Sequence, residues 1–343
     1  MNIVNLLVSI CLLVLNPLFA SECPIVTTFE DRRNNKSSLR LMQFNVEWLF
    51  IDYYEPMNCP GNGCSWHTVA EAETHLSYVA DVIMELQPDI INLCEVESCN
   101  ELTMLKDKLN TTYNTYLKQG TDTSTGQNVG MLTKIDPLVS LYRSEDKIKY
   151  PMLGTKCGTT NAFGTTGVSK HYITEFKLGS KNVAMIGAHL LAIPTDPERC
   201  VQREAQAQVL QNVVSSYVNK DYEIILIGDI NDYDSEILDL NLNKPTSRVL
   251  DILKGLDGDK KGSYVLTNIA SNIVQTNRYS DWWDSDNNCN TSSQQDLSMI
   301  DHILVTSGVQ AQIINAFIYH GYDEYCGKLN SDHWPVVIDL YLY

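Results

Sequence analysis

Short apolar runs alternate along the chain with longer segments in which apolar residues recur every three or four positions. The segments with helical spacing cover residues 69–83 and 199–218 and predict two amphipathic helices. The apolar runs predict strands, and they cover residues 39–44, 90–94, 129–132, 172–178, 183–188, 224–227, 300–305, 313–319 and 336–342. This alternation of strands and helices predicts a mixed α/β fold.

The predicted strand at residues 224–227 is apolar at every position, so we expect it to be covered on both faces. No repeat of roughly 20–50 residues divides the chain, and no linker separates two halves of different composition. The candidate functional residues span positions 45–333, and a division into two domains would split them. We therefore predict one domain over residues 39–343, preceded by a polar, mobile leader over residues 21–38.

The amino terminus carries an apolar run over residues 3–19 that closes at Ala20 before the polar Ser21 and Glu22. This pattern predicts a signal peptide cleaved near Ala20, and hence a secreted protein. An uncleaved membrane anchor is the alternative, although the run is short for a spanning helix. No other segment approaches membrane length, so we expect no stable membrane insertion after cleavage.

Ten cysteines are present, and Cys11 leaves with the signal peptide. In an oxidising compartment most of the remaining nine should pair, with Cys94 in the apolar run 90–94 left over. The sequence leaves the connectivity open, and the plausible pairs are Cys59 with Cys64, Cys157 with Cys200, and Cys289 with Cys326. Glycosylation is predicted at three sequons, which begin at Asn35, Asn110 and Asn290.

The net charge is −17, and residues 1–20 contribute no charged side chain to it. A strongly acidic chain does not attract phosphate polymers through its overall field. If the substrate is anionic, divalent cations and a local basic patch must supply the attraction.

Five short segments place a metal-seeking or proton-handling side chain near an end of an apolar run. In chain order they are Phe44-Asn45-Val46-Glu47, Cys94-Glu95-Val96-Glu97, Gly228-Asp229-Ile230-Asn231, Met299-Ile300-Asp301-His302 and Ser331-Asp332-His333. Each segment alone is weak, but five in order are typical of a site built on a sheet.

Metal-assisted hydrolysis of a phosphodiester needs a cation, a base for water and help for the leaving oxygen. Glu95 is the first candidate ligand for a hard divalent cation such as Mg²⁺, which prefers oxygen. Asn45 offers an amide oxygen to the metal or a donor to phosphate. Taken alone, Glu95 could be a solvated loop carboxylate and Asn45 a turn residue.

Asp229 and Asn231 follow the most apolar strand, and their spacing puts both side chains on one face if the strand continues. One can then position water while the other holds a phosphate oxygen. A helix N-cap or an Asx turn is the alternative, and the neighbouring Asp232 and Asp234 keep it open.

Asp332 and His333 are adjacent on an extended segment, so their side chains should point apart. His333 then needs another orienting partner, and Asp301 is the best candidate because a charge in an apolar strand is costly to bury unpaired. His302 should face the opposite side as a core or surface histidine. His189 ends the predicted strand 183–188 and could protonate the leaving oxygen or stabilise the transition state; alone it could be structural.

These residues together resemble the endonuclease/exonuclease/phosphatase superfamily, which includes pancreatic-type deoxyribonuclease, abasic-site endonucleases, neutral sphingomyelinases and inositol-polyphosphate phosphatases. The resemblance covers roughly residues 39–343. The segments Glu95-Val96-Glu97 and Gly126–Leu132 look more like the secreted microbial nucleases of the family. The resemblance implies a four-layer α/β sandwich of two packed mixed β-sheets flanked by helices.

The resemblance also implies a metal site formed by Asn45, Glu95 and Asp332. Its expected cofactor is Mg²⁺, with Mn²⁺ or Ca²⁺ as alternatives.

The remaining roles follow from the same resemblance. Asp229 and Asn231 would position water and contact phosphate. Asp301 would orient His333 as the general base, and His189 would be the second active-site histidine.

One departure concerns substrate contact. Several family nucleases carry a basic residue shortly after the metal-binding glutamate, whereas this chain has Val96-Glu97-Ser98. Lys170 is a substitute candidate for phosphate contact, with a surface lysine as the alternative reading.

Three functions compete on this evidence. The first is a secreted nuclease that hydrolyses nucleic acid, acting as a monomer. The second is a sphingomyelinase-like enzyme or another phosphoesterase acting on lipid head groups or small phosphate esters, for which Trp282 and Trp283 could contact lipid. The third is a catalytically silent binding module, which the complete set of acid, amide and histidine residues disfavours.

Overall fold

The computed structural model describes residues 23, 25, 28–51, 64–109, 112–284, 286, 288–290, 293–322 and 329–343. Its strands are β1 (Ser38–Leu49), β2 (Ile90–Val96), β3 (Asn114–Leu117), β4 (Asn128–Thr133), β5 (Ile148–Tyr150), β6 (Gly164–Thr166), β7 (Lys170–Leu178), β8 (Lys181–His189), β9 (Glu223–Asp229), β10 (Thr267–Asn268), β11 (Asp281–Trp282), β12 (Leu297–Ser298), β13 (Asp301–Val305), β14 (Ile313–Ile318) and β15 (Val336–Tyr341). Its α-helices are α1 (Val69–Leu86), α2 (Cys99–Leu109), α3 (Pro197–Val218), α4 (Val249–Leu253) and α5 (Ser307–Gln310).

Two mixed sheets form the centre of the fold. The first has six strands in the order β14-β15-β1-β2-β4-β3, and the second has five in the order β10-β13-β9-β8-β7. Each contains one parallel pair among antiparallel neighbours, β1 with β2 and β8 with β9.

Three hydrophobic cores separate four layers. The middle core lies between the sheets and contains Leu41 and Met131 from one sheet and Ile227 and Ile303 from the other. A second core packs α1 and α2 on the outer face of the first sheet. A third packs α3 and α4 on the outer face of the second. The fold is therefore the expected four-layer α/β sandwich of two packed mixed sheets flanked by helices.

The facing surfaces of the two sheets change from apolar to polar towards one edge. In β1, Leu39 and Leu41 lie in the middle core, and Gln43 and Asn45 continue the same face because alternate residues of a strand point to the same side. The second sheet follows the same pattern, and its register sets His189, Asp229 and Asp301 side by side on three neighbouring strands. Polar side chains from both sheets therefore meet at one edge of the sandwich.

The sequence predicted the long helices and all the longer strands, but it ended β1 and β2 too early. Asn45 and Glu95 lie within these strands, which continue to Leu49 and Val96. The helix α2 was not predicted, since its polar face dominates and only Cys99, Glu101, Leu102, Leu105 and Leu109 are buried.

His302 lies on the outward face of β13, as expected for a core histidine. Its ring nitrogens contact Asn268 Nδ2 at 3.0 Å and the Asp232 carbonyl at 2.9 Å, so its role is structural.

The leader predicted to be mobile over residues 21–38 is anchored where the structure describes it. Arg32 forms an ion pair with Asp136 at 2.6 Å, and Arg33 is buried. Cys23 is disulfide-bonded to Cys99, a pair that sequence reasoning did not name. Covalent and ionic contacts, which composition does not reveal, hold this segment in place.

The other cysteine predictions divide into confirmed pairs and pairs outside the described residues. Cys157 is bonded to Cys200, and Cys94 is a free, buried thiol, both as predicted. Cys64 and Cys289 are disulfide-bonded, but their proposed partners Cys59 and Cys326 lie outside the described residues.

Two further predictions fall wholly or partly outside the described part of the chain. They are the signal peptide over residues 1–20 and the sequons beginning at Asn110 and Asn290. Asn35, at the remaining sequon, is exposed. Among the helices that the structure describes, none has the length and apolar character of a membrane span.

Candidate active site

An irregularity in the β1–β2 pairing brings two glutamates to the polar edge of the sandwich. The register shifts between Asn45 and Leu49, and positive φ angles occur at Glu47 (43°), Trp48 (52°) and Glu95 (66°). Such bulges bend a strand and redirect its side chains, and they are common next to active sites. Here the Trp48 backbone N–H donates to Glu95 Oε2 at 3.1 Å, which fixes the Glu95 carboxylate.

Asn45 connects the two sheets at the centre of the site. Its Nδ2 donates to Asp229 Oδ2 at 3.0 Å and to Glu95 Oε1 at 3.3 Å, and it lies 3.4 Å from His333 Nε2. Its Oδ1 accepts from the Glu47 backbone N–H at 3.1 Å. One buried amide therefore contacts an acid of the first sheet, an acid of the second sheet and the histidine.

Glu47 belongs to the acidic cluster, although sequence reasoning gave it no role. The Asp332 backbone N–H donates to Glu47 Oε2 at 3.0 Å, and Ser65 Oγ donates to Glu47 Oε1 at 2.5 Å. Removal from water raises the pKa of Glu47 to about 7, and the nearby Glu95 adds to this. Burial also raises the pKa of Asp332 well above its usual value, with Glu47 as the next cause.

The predicted pairing of Asp301 with His333 is present in the structure. Asp301 Oδ2 lies 2.7 Å from His333 Nδ1 and also accepts from Ser280 Oγ at 2.9 Å. Gln43 Nε2 donates to Asp301 Oδ1 at 2.9 Å, and Asn92 Nδ2 donates to Gln43 Oε1 at 2.6 Å. A buried chain of hydrogen bonds thus fixes the imidazole and leaves Nε2 facing Asn45.

The charge of this pair is set by its neighbours. Burial disfavours the His333 imidazolium, but the charges of Asp301, Asp332 and Asp281 together outweigh burial and raise the pKa of His333 well above its usual value. Without a bound cation, these carboxylates therefore favour the protonated form of His333.

Asp229 lies beside this pair, but the strand does not continue to Asn231 as the same-face prediction required. β9 ends at Asp229, Asn231 has a φ angle of 53°, and the alternative Asx turn is present. The Asn231 backbone N–H donates to Asp229 Oδ1 at 2.9 Å, and Asn231 Nδ2 donates to the Leu190 carbonyl at 3.3 Å. Burial raises the pKa of Asp229 to about 8, and Asp301 is the next cause. The neighbouring Asp232 and Asp234 point elsewhere, into ion pairs with Arg203 at 3.2 Å and Lys254 at 2.9 Å.

His189 completes this side of the site. Its Nε2 lies 3.4 Å from Asp229 Oδ2 and 3.9 Å from Glu95 Oε1. Burial lowers the pKa of His189 well below its usual value, and the charge of Lys170 lowers it further. A neutral His189 can donate one hydrogen bond, which favours transition-state stabilisation over protonation of a leaving oxygen.

Lys170 lies at the edge of the site and not within it. It starts β7 opposite His189, and its ammonium donates to Gln127 Oε1 at 3.0 Å and faces Asp122 at 3.8 Å. The structure therefore places Lys170 near His189 but engages its charge with other groups.

Asp281 is a further acid at the site that the sequence motifs did not indicate. Its Oδ1 lies 3.5 Å from His333 Nε2, and its Oδ2 accepts from Ser298 Oγ at 2.9 Å. Burial raises the pKa of Asp281 to about 6. No apolar strand precedes Asp281, so only the bridge that pairs it with His333 reveals its position.

The acids of the site have no basic counter-ion among the described residues other than histidine. Every ion pair of Glu95, Asp229, Asp281, Asp301 and Asp332 in this part of the chain is made with His189 or His333. Buried carboxylates normally pair with a cation, so this donor set fits a divalent metal ion with oxygen ligands.

Two positions for such an ion can be compared. Oxygen and nitrogen atoms of Asp229, Asp301 and His333 lie within 4.8 Å of one another. A metal there would compete with the 2.7 Å hydrogen bond between Asp301 and His333. Glu95 and Asp332 take no part in that hydrogen bond, although neither belongs to a group of three potential ligands within 4.8 Å among the described residues.

The tryptophan pair does not form a shared surface. Trp282 is buried with its backbone N–H donating to the Asp332 carbonyl, whereas Trp283 is 70% exposed.

Comparison with known proteins gives one family and a shared fold. Residues 42–333 match the model of the Endonuclease/Exonuclease/phosphatase family. Among curated proteins, none matches the chain significantly.

Several solved structures share the fold at low sequence identity. An endonuclease/exonuclease/phosphatase from Bacteroides vulgatus is 16% identical with a TM-score of 0.54, and the match covers 89% of this chain and 99% of that one. An AP endonuclease from Archaeoglobus fulgidus is 13% identical with a TM-score of 0.54, covering 88% of this chain and 98% of that one.

Proposed function

Since the chain belongs to the endonuclease/exonuclease/phosphatase family, a family of phosphoester hydrolases, we propose that it is a secreted, divalent-metal-dependent nuclease. The observation that carries this proposal is the hydrogen bond between His333 and Asp301, which leaves His333 Nε2 facing the carboxylates of the site. In the described part of the chain, these carboxylates have no Lys or Arg partner.

The proposed metal ligands are Glu95 and Asp332, with Asn45 supporting them and Glu47 added from the geometry. A divalent ion held there, proposed as Mg²⁺, would neutralise charge developing on the phosphate and lower the pKa of His333 towards neutrality.

His333 is proposed as the general base. Asp301 holds Nδ1, so Nε2 is the atom that removes a proton from the attacking water. The imidazolium that forms is stabilised by the buried Asp301 carboxylate, which is itself held by Gln43 and Ser280.

Asp229 and Asn231 are proposed to position the water and the phosphate. The Asn45 amide and the Asn231 backbone N–H hold the Asp229 carboxylate towards the site. His189, kept neutral by burial, is proposed to donate a hydrogen bond from Nε2 to charge developing on a phosphate or leaving oxygen. Lys170 is proposed only as a distant contact for substrate, because its ammonium already binds Gln127.

A nucleic acid is proposed as the substrate in preference to a lipid head group. The Archaeoglobus fulgidus structure with this fold is an AP endonuclease. Of the tryptophan pair, only Trp283 is exposed, so a paired aromatic contact with lipid is not available.

Secretion is proposed from the amino-terminal apolar run and from the disulfides, of which Cys23–Cys99 and Cys157–Cys200 have both partners within the described residues.

The proposed mechanism is tested by replacing His333. The change His333→Ala should lower nucleic-acid turnover with Mg²⁺ by about 10²- to 10⁴-fold, because it removes the general base. The matched control is His67→Ala, which removes an exposed histidine and should leave turnover unchanged. Unchanged turnover in a folded His333→Ala protein would reject the mechanism.

A further inference from the structure

The carboxylate of Asp281 lies in front of the proposed base, where its nearest charged partner is His333 Nε2. Its Oδ1 lies 3.5 Å from His333 Nε2, and among the described residues it accepts no hydrogen bond. Its Oδ2, in contrast, accepts from Ser298 Oγ at 2.9 Å. One oxygen is therefore fixed by the protein, and the other is directed at the reacting region.

Backbone pairing on two sides holds Asp281 rigidly in this position. It pairs with Ser298 between β11 and β12 and with His333 through an isolated bridge. Two backbone hydrogen bonds form the bridge to the His333 segment. Trp282 N–H donates to the Asp332 carbonyl at 2.9 Å, and Trp334 N–H donates to the Ser280 carbonyl at 2.8 Å. A side chain on such a framework is pre-positioned for binding.

The wall beside Asp281 is polar. Ser298 Oγ donates to Asp281 Oδ2, and the half-buried Tyr233 lies near enough for the charge of Asp281 to add to burial in raising the pKa of its phenol. Hydroxyl groups therefore border the carboxylate on the side away from His333. This wall fits a polar substrate group better than an apolar one.

A carboxylate beside a scissile phosphate repels it unless a cation or a hydrogen-bond donor lies between them. A metal ion is the weaker explanation, because an ion bound to Asp281 Oδ1 would lie against His333 Nε2, 3.5 Å away, which is the atom proposed as the base. The charged groups that act most strongly on Asp281 are His333 and Asp301. The remaining explanation is that the substrate itself carries a hydrogen-bond donor for Asp281 Oδ1. A sugar hydroxyl is such a donor.

We propose that Asp281 Oδ1 accepts a hydrogen bond from a hydroxyl next to the scissile phosphoester, so that the site prefers ribonucleotides to deoxyribonucleotides. This inference rests on the proposed nuclease function and assigns its substrate class. Asp281 is thus a specificity-determining residue, with Ser298 and Tyr233 as positioning residues.

The test compares three short oligonucleotides of one sequence, made as RNA, as 2′-fluoro RNA and as DNA. The fluoro substrate keeps a 2′ substituent but cannot donate a hydrogen bond. With Mg²⁺, the wild-type protein should cleave RNA with a kcat/KM about 10- to 100-fold above that of the other two, as expected for one hydrogen bond to a charged acceptor.

The change Asp281→Ala should reduce this ratio to about one, mainly by slowing RNA cleavage. If that variant does not fold, Ser298→Ala provides the second test, because it frees Oδ2 and should lower the ratio several-fold. The control Asp286→Ala removes an exposed carboxylate from the same segment and should keep the wild-type ratio.

Two results with these oligonucleotides would overturn the inference. They are equal cleavage of RNA and 2′-fluoro RNA by the wild type, and an unchanged ratio in Asp281→Ala, whether or not its Mg²⁺ requirement rises. Hydrolysis of inositol phosphates in preference to RNA would overturn the ribonucleotide assignment. Asp281 would then bind a hydroxyl group of a different substrate. If no oligonucleotide is cleaved, the nuclease proposal fails first, and the inference falls with it.

Discussion

Single residues at this site act by fixing one atom of a neighbour and leaving another free. Asp301 binds Nδ1 of His333 and leaves Nε2 facing Asn45, and Ser298 binds one oxygen of Asp281 and leaves the other. Because every such contact is buried, the loss of one partner leaves an unpaired polar group with a large energetic cost.

Gln43 is the residue whose removal tests this arrangement outside the reacting groups. The change Gln43→Leu leaves Asp301 Oδ1 and Asn92 Nδ2 without their hydrogen bonds to this side chain. We expect kcat to fall about tenfold while KM changes little, because His333 loses its fixed orientation. Steady-state kinetics on nucleic acid measure both constants.

A purely structural role for Gln43 would give a different result. The free energy of unfolding would fall by about 1–3 kcal/mol, but kcat of the folded protein would not change. Unchanged kcat would therefore contradict a positioning role. A kcat for Gln43→Asn closer to that of the wild type than the kcat of Gln43→Leu would support the positioning role, since asparagine keeps the amide group.

At the scale of elements, the site depends on the close approach of the two sheets. Gly187 on β8 lies where a Cβ atom would come within 2.2 Å of Asn92 Oδ1 and 2.3 Å of the Tyr172 ring. Asn92 belongs to the opposite sheet and to the hydrogen-bond chain that ends at His333. The glycine at this position therefore allows the two sheets to lie close enough for their side chains to form one site.

The change Gly187→Ala should therefore affect stability and activity together. Overpacking at a buried contact costs about 1–3 kcal/mol, which chemical denaturation can measure. Turnover should fall as well, because Asn92 and Gln43 must move. The matched change Gly262→Ala, where nothing lies within 4 Å but φ is positive, reports the cost of backbone strain alone.

The success of sequence prediction also varied by element. Strands with a clear apolar pattern were found, and Asp301, His333, Asp229 and Asn231 followed from them. Glu47 was missed because the chain bends at Glu47 and Trp48, where positive φ angles interrupt the strand pattern. Asp281 was missed because its link to His333 is a long-range backbone bridge. The roles of all these residues remain predictions.

At the scale of the whole molecule, charge is the dominant feature. The net charge is −17, and the site concentrates several acids in a buried space. The pKa values of Glu47 and Asp229, raised to about 7 and about 8, mean that the folded protein holds protons there that the unfolded chain has released. Folding and metal binding are therefore linked to pH through the same carboxylates.

This linkage predicts the pH dependence of stability. Between pH 6.5 and 8 in chelator, the unfolding temperature should fall by a few degrees, because the native state loses protons that the unfolded state no longer carries. The raised pKa of His333 acts in the same direction. Buried His75, His171 and His189, whose pKa values are lowered, act in the opposite direction and reduce the fall, because the unfolded chain still releases protons from these imidazoles just above pH 6.5.

Saturating Mg²⁺ should reduce this fall by balancing the carboxylate charge. Thermal unfolding followed by circular dichroism at several pH values, with and without Mg²⁺, measures the effect. A rise in unfolding temperature from pH 6.5 to 8, or an equal fall with Mg²⁺, would contradict the proposed metal site.

The most direct test of the central claim is a substrate panel on the purified protein. DNA, RNA, sphingomyelin vesicles and inositol phosphates are each incubated with Mg²⁺ or with chelator, and the release of phosphoester products is measured. We expect nucleic acid to be hydrolysed with Mg²⁺ and not with chelator. Hydrolysis of sphingomyelin or inositol phosphates alone, or hydrolysis that persists in chelator, would contradict a metal-dependent nuclease.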